Sequence, residues 1–231
     1  MDLVVEGVRQ ALVLLFGGDG EVWSILLLSL QVSASATLIS LLIGIPAGAA
    51  LALARFPARG LVVSAVNTGM GLPPVVVGLF VTLLLWRSGP LGAYEILYTP
   101  AAIVVAQAVI ASPIVTGITL AAVGQVPREF RLQLLALGAS RPQMVWMVLR
   151  EARLPMLAAV MAGFGGIISE IGASMMVGGN IKGQTRTLTT AMVLETGKGN
   201  FDVAIALSLL LLVLIFLVNW ALTTIQQRRV L

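Results

Sequence analysis

Cysteine and histidine are both missing from the 231 residues. Without them there is no thiol nucleophile, no disulfide, no imidazole base, and no zinc or haem ligation of the usual kind. Charge is scarce as well: 10% of residues are Asp, Glu, Lys or Arg, where a soluble domain carries about 25%. Aromatic residues make up only 6%. What fills the space is aliphatic, with 58% hydrophobic residues and a mean hydropathy of +1.03. Long uncharged runs of this kind mark membrane spans. The basic balance, with a pI near 10.3, could suggest nucleic acid, but Lys and Arg form no patch interleaved with aromatics. No nucleic-acid partner is therefore expected. Met1 is followed by Asp2 and Glu6 rather than by a basic start and a short apolar run, so no signal peptide is expected either.

Five segments are long enough to cross a hydrocarbon core of about 30 Å, which takes about 20 residues of helix. They are Val22–Ala54, Leu61–Trp86, Tyr98–Val123, Leu154–Val177 and Phe201–Ile225. The fold class expected is an all-α membrane protein with five transmembrane helices. Pro46 in the first segment and Pro73–Pro74 in the second predict kinks or breaks, because proline removes a backbone donor. The first 21 residues stand apart. Asp2, Glu6, Arg9 and Gln10 recur at helical spacing opposite Leu3, Val4, Val8, Leu12 and Leu15. A helix over 2–16 would be about 22 Å long, short for a span and suited to lying in the membrane interface. Gly17–Glu21 (GGDGE) reads as the turn into the first span. The domain reading is thus an amphipathic segment over 1–21 and a membrane domain over 22–231.

Five spans place the chain ends on opposite sides. Arg55, Arg59, Arg128, Arg131, Arg141, Arg150, Arg153, Arg228 and Arg229 fall on one side. Arg9, Arg87, Lys182, Arg186 and Lys198 fall on the other. The positive-inside rule assigns the first group to the cytoplasm, with the N-terminus outside and the C-terminus inside.

The third and fourth spans are joined by Val126–Arg153, far longer than the 2–8 residues usual between bundle helices. The stretch EFRLQLLALGASRPQMVWMVLREARLP (Glu129–Pro155) gathers Glu129, Arg131, Arg141, Arg150, Glu151 and Arg153 in one place. It predicts two short helices. Pro127 opens the first, with Phe130, Leu134 and Leu137 on one side, and Gly138 ends it in a left-handed conformation. Ser140 caps the second, which carries Pro142 early and an apolar surface of Met144, Val145, Met147 and Val148. A solvated loop with no partner is the plain alternative.

These residues resemble the permease subunits of bacterial binding-protein-dependent ABC importers. That family carries a cytoplasmic loop of pattern E-A-A, three residues, Gly, nine residues, I, any residue, L-P. Here Gly138 matches the glycine and Leu154–Pro155 the closing L-P, while Leu132, Gln133 and Leu134 stand at the E-A-A positions. From Gly138 to Pro155 is 17 residues, four more than the pattern and about one helical turn. This lengthened form, with LREAR at 149–153, resembles the tungstate-type subgroup. SLLIGIPAGAALAL (Ser40–Leu53), GLPPVVVGLFVTLLLWRSGPLG (Gly71–Gly92) and ISEIGASMMVGGNIKGQTRTLTTAM (Ile168–Met192) extend the resemblance to molybdate and tungstate permeases. It runs from about residue 24 to the end.

The resemblance implies a type I ABC-importer permease fold acting as a homodimer. It implies two copies of an ATPase subunit, which would use the ATP and magnesium, and an extracytoplasmic substrate-binding protein. No cofactor is implied in this chain. The loop would be the coupling element, with Glu129, Arg131, Leu134, Leu137, Gly138, Ala139, Ser140 and Arg141 facing the ATPase. The cargo implied is an oxoanion, tungstate or molybdate, with sulfate or another anion as the alternative. A stand-alone carrier or channel would want midplane coupling carboxylates or an internal repeat, and neither is evident.

Other features have two readings each. GGNIKGQT (Gly178–Thr185) has the outline of a phosphate loop, but Gln184 replaces the lysine, so the chain is expected not to hydrolyse ATP itself. Glu170 is the one carboxylate well inside a span; a bond to neighbouring helices and a gating role both fit it. Gly44-x-x-x-Gly48 lets helices approach closely, either across a homodimer or within one subunit. Ser33, Ser35, Thr37, Asn67 and Thr68 could offer weak donors to a passing oxoanion, or bond back to their own helices. Lys182 and Arg186 could attract an anion, meet an acidic rim on a binding protein, or stay solvated.

Overall fold

The computed structural model describes residues 2–17 and 20–227. Among them it is helical throughout: α1 (Asp2–Phe16), α2 (Gly20–Leu53), α3 (Arg59–Met70), α4 (Pro74–Leu85), α5 (Pro100–Gly124), α6 (Arg128–Ala136), α7 (Arg141–Glu151), α8 (Arg153–Ile168), α9 (Gly172–Gly178), α10 (Leu188–Gly197) and α11 (Phe201–Gln227). The frame is a parallel pair, α2 and α5, packed along most of their length. Their backbones meet where side chains vanish. A methyl on Gly48 would lie 2.5 Å from the Thr116 carbonyl oxygen, and one on Gly44 would lie 2.7 Å from Val115. The G-x-x-x-G seam therefore serves packing within the subunit. Ser40 adds a hydroxyl bond of 3.3 Å to the Ala108 carbonyl across the same seam.

Three helices, α2, α5 and α11, are individually long and apolar enough to cross a membrane, and the number rises to five if each sharply bent pair is one span. The break expected at Pro73–Pro74 is present: α3 and α4 meet at 101°. Pro73 is the N-cap of α4, and Pro74 opens it. Of the kink or break expected at Pro46, no break is present: α2 continues through it, and its glycine seam against α5 holds the helix on both sides of the missing donor. The fourth span also departs from expectation. Leu154–Val177 is not one helix but α8, a break at residues 169–171, and the short α9. At its other end α8 meets α7 at 69°.

The N-terminal helix covers the expected residues and lies against α11. Gly7 makes the contact close, since a methyl there would overlap the Ile205 side chain. The first span begins at Gly20, inside the segment expected to be a turn, and Gly18–Asp19 lie outside the described residues, as do Arg228–Leu231. A helix that was not anticipated, α10, packs on α11. Leu188, Thr189, Thr190 and Ala191 at its start are buried.

Candidate functional sites

The segment between α5 and α8 folds as two helices about Gly138. Its φ of +83° is left-handed, a conformation that costs any residue with a Cβ about 1–2 kcal/mol. The Gly138 amide donates to the Leu135 carbonyl and the Ala139 amide to the Leu134 carbonyl, both at 3.0 Å. That pair of bonds is a Schellman ending, which satisfies carbonyls a helix end would otherwise leave open. Three residues after Gly138 the chain is helical again. Ser140 and Gln143 form a capping box, the Ser140 amide donating to Gln143 Oε1 at 2.8 Å. Local sequence chemistry thus sets both ends of the turn.

The loop is anchored at its base. Val126, Val148 and Ala152 are buried with Ala49, Ala122 and Val123 from the ends of α2 and α5, and Phe130, Met144 and Leu149 pack on this cluster. Arg131 reaches back to the Val126 carbonyl at 3.4 Å. Phe130 therefore turns inward, while Leu137, expected on the same side, stands 84% exposed at the tip. The physical reason is the helix end: α6 stops at Ala136, so Leu137 leaves the helical phase. Leu132, at an E-A-A position, is exposed as well, and so are Leu135 and Trp146, which were not singled out in the sequence. Glu129, Arg141 and Ser140 lie on the exposed side, and Leu134 and Ala139 are half-buried.

Glu170 lies in the break between α8 and α9 and is buried. Its carboxylate accepts from the Ala173 amide at 2.8 Å, the Ser174 amide at 3.1 Å and the Ser174 hydroxyl at 3.1 Å. It therefore caps the helix that follows it, where amides are unpaired and the helix dipole favours negative charge. The Gln107 amide from α5 donates to the Ile167 carbonyl and to Ser174 Oγ, each at 3.3 Å. Thr189 of α10 donates to the Glu170 carbonyl at 3.2 Å. One buried polar chain thus ties α5, α8, α9 and α10 together at the break. A methyl on Gly172 would lie 2.7 Å from Val75, at the first turn of α4. The α3–α4 bend and the α8–α9 break are therefore neighbours.

The remaining pathway candidates lie on α2 and α3. Ser33 and Thr37 are buried on α2, where the Thr37 hydroxyl donates to the Ser33 carbonyl at 2.7 Å, and Ser35 is half-buried. Asn67 and Thr68 are exposed on α3, Thr68 donating to the Ser64 carbonyl at 2.9 Å. No residue of α3 is buried within the chain.

At the opposite end from the loop, Glu21 at the start of α2 pairs with Lys182 at 2.6 Å and with Arg186 at 3.4 Å. Both cations share this one carboxylate, so they are paired within the chain and the trio keeps a single net positive charge. Nearby, Glu195 accepts from Lys198 and Asn200, each at 2.7 Å. The hydrogen bond from Lys198, followed by that from Asn200, lowers its pKa below the ordinary carboxylate value. Gly178–Thr185 forms no phosphate cradle. The buried Thr185 hydroxyl donates to the Gly178 carbonyl and accepts the Ile181 amide at 3.0 Å, consuming it in the turn. Among the described residues no cluster of three or more acidic side chains could hold a metal ion.

Comparison with known proteins agrees with this architecture. A permease chain of the MetNI methionine ABC transporter, solved in inward-facing conformations, superposes with a TM-score of 0.73 over 90% of this chain and 94% of its own, at 21% identity. A Haloferax volcanii protein named as a probable anion ABC transporter permease is 42% identical over 85% of this chain and 87% of its own length. The tungstate uptake system permease protein TupB of Peptoclostridium acidaminophilum is 37% identical over 98% of this chain and 100% of its own. Residues 40–230 match the model of the binding-protein-dependent transport system inner membrane component. With most of its length inside that model, the chain belongs to the family of inner-membrane components of binding-protein-dependent ABC transport systems.

Proposed function

We propose that this chain is the membrane subunit of an ATP-driven importer of an oxoanion, tungstate or molybdate. The observation that carries the substrate class is the 37% identity to a tungstate permease along 98% of the chain. A relative named only for an anion keeps another anion, such as sulfate, as the second reading. Two copies of the chain would form the pathway, joined by two ATPase subunits that bind and hydrolyse ATP with magnesium, and by an extracytoplasmic binding protein. The N-terminus would lie outside and the loop inside, as the arginine distribution supports.

In this reading Glu129, Arg131, Leu134, Leu137, Gly138, Ala139, Ser140 and Arg141 form the surface that the ATPase grips. An exposed apolar tip on a base fixed to α2 and α5 suits that role, because a push at Leu137 reaches the membrane helices without bending the loop. ATP-driven closure of the ATPase pair then switches access to the pathway from one side to the other, a two-state movement of bent spans. Ser33, Ser35, Thr37, Asn67, Thr68 and Glu170 are the pathway and gate candidates. Asn67 and Thr68 are the best placed, on the helix face the subunit leaves open.

Reconstitution of the chain with its ATPase and binding protein in vesicles tests the reading. ATP-dependent uptake of tungstate or molybdate in preference to sulfate is expected. Leu137→Glu should abolish ATPase stimulation by the loaded binding protein while the two-copy membrane assembly persists. Stimulation unchanged in that variant overturns the role of the loop, and uptake of sulfate alone overturns the substrate class.

A further inference from the structure

A groove of about 1010 Å³ lies between α2, α3 and α5. Its walls run along α2 from Ile39 to Ala54 and end at Phe56. Fifteen residues of helix make the groove about 22 Å long, somewhat more than the half-thickness of a hydrocarbon core of about 30 Å. The walls are aliphatic apart from Ser112 and Thr116, and both hydroxyls are taken, by the Ala108 carbonyl at 2.6 Å and the Ser112 carbonyl at 2.7 Å. The groove therefore offers an oxoanion no free donor along its length. An apolar chain could enter it with no polar group to displace.

One end is not apolar. Arg55 sits between the wall residues Ala54 and Phe56 and is exposed. Arg59 is drawn to the same end, its Nε donating at 2.8 Å to the carbonyl of Leu51, another wall residue. Ala58, with a φ of +62°, makes the left-handed turn that brings Arg59 there. A guanidinium carries five donors, and this bond uses one. Neither arginine has an ion-pair partner among the described residues. The charged end lies with the end of α2 that packs on the loop base, where Leu53 meets Val123 and Val126.

We infer that this groove is a binding site for an anionic phospholipid, one acyl chain lying between α2, α3 and α5 and the phosphate held by Arg55 and Arg59. Charge complementarity selects this occupant. A zwitterionic lipid would fill the groove but gain less at the arginine pair, and a partner helix of the same composition would leave both cations unpaired. Basic pockets at the ends of membrane helices hold acidic headgroups for this reason. The site stands apart from the transport reading and does not depend on which anion is carried.

The test uses the full chain in detergent, with native mass spectrometry against phosphatidylglycerol and phosphatidylcholine of matched acyl chains. Phosphatidylglycerol should be retained in preference, and Arg55→Gln should reduce that preference about fivefold, with a similar further loss on adding Arg59→Gln. Because Arg59 also caps α2, the single Arg55→Gln variant carries the test if the double variant fails to fold. Ala50→Trp, which fills the groove, should lower retention of both lipids. Inorganic phosphate should leave the adducts in place. Equal retention of the two lipids overturns the inference, as does displacement by phosphate alone. Efficient disulfide-linked dimer formation by Ala50→Cys also overturns it, since a second copy would then cover the groove.

Discussion

Replacing Glu170 by glutamine keeps the side chain's size and removes its charge, and the structure says which way stability should move. The carboxylate accepts three bonds: two at Oε2, from the Ser174 amide and hydroxyl, and one at Oε1, from the Ala173 amide. A carboxamide has one acceptor oxygen. Whichever way it is turned, its NH₂ faces a backbone N–H of Ala173 or Ser174 in the buried first turn of α9. Two effects oppose each other. Neutralising a buried charge recovers desolvation energy, which can reach several kcal/mol for an ion. Losing a charged acceptor costs about 1.5–3 kcal/mol per bond, and the helix dipole adds up to about 1 kcal/mol. With three donors converging on one ion, the bonds should win. Glu170→Gln is expected to cost about 2 kcal/mol and lower the unfolding midpoint by about 4–8 °C. Ser174→Ala, which removes one donor, should cost about 1 kcal/mol, and the double variant should cost less than the sum because the sites share a bond. Thermal unfolding of the purified chain in detergent, followed by circular dichroism, measures all three. A Glu170→Gln chain that melts at or above the parent temperature refutes the capping argument.

Gly138→Ala should cost about 1–2 kcal/mol for conformational reasons alone, since no atom lies within 4 Å of the added methyl; equilibrium unfolding reads it, and Gly165→Ala, equally open but not left-handed, is the control that should change little. Gly48→Ala should destabilise by about 1–3 kcal/mol through overpacking, because its methyl would press on the Thr116 carbonyl at 2.5 Å and Thr119 Cβ at 2.7 Å. For Glu195, whose folded pKa lies below the ordinary value of 4.5, the sign follows from linkage. Its contribution is fully present above about pH 4.5 and is lost as pH falls through the folded value. Lys198→Ala should therefore remove part of the acid-side fall in a stability–pH profile.

The loop was legible in the sequence because its geometry is made locally. Gly138, Ser140, Pro142 and the spacing to Gln143 each settle the backbone within a turn of themselves, so both helix ends could be read from residue type. Which leucines face outward was not legible. That depends on α6 stopping at Ala136, one residue short of Leu137, and on Phe130 finding Val148 across the loop. The break at 169–171 was missed for a similar reason: no proline marks it, and what stabilises it is a carboxylate reaching forward to backbone amides. Helix α10 carries a reciprocal cap between Thr187 and Thr190, but a threonine run reads as strand or loop by propensity. Burial under α2 decides it, through Ser29 Oγ accepting the Leu188 amide at 2.8 Å.

Pro46 and Pro73 show that proline alone does not choose between a continuous helix and a broken one; the neighbour does. Around Pro46 the glycines at 44 and 48 put α2 in backbone contact with α5, and a bend would open that seam. Around Pro73 both halves are held, but by different neighbours: α3 on α5, where a methyl on Gly69 would lie 2.8 Å from Pro113, and α4 on α9 by Gly78, whose added methyl would lie 2.7 Å from the Ala173 backbone. The bend falls between a half packed on α5 and a half packed on α9. The α8–α9 segment divides beside this bend, where Gly172 meets Val75 and Glu170 caps α9. Two breaks thus lie side by side next to the α2–α5 frame, with α4 and α9 packed on each other beyond them, and α8 connects the loop helix α7 to the break that Glu170 holds.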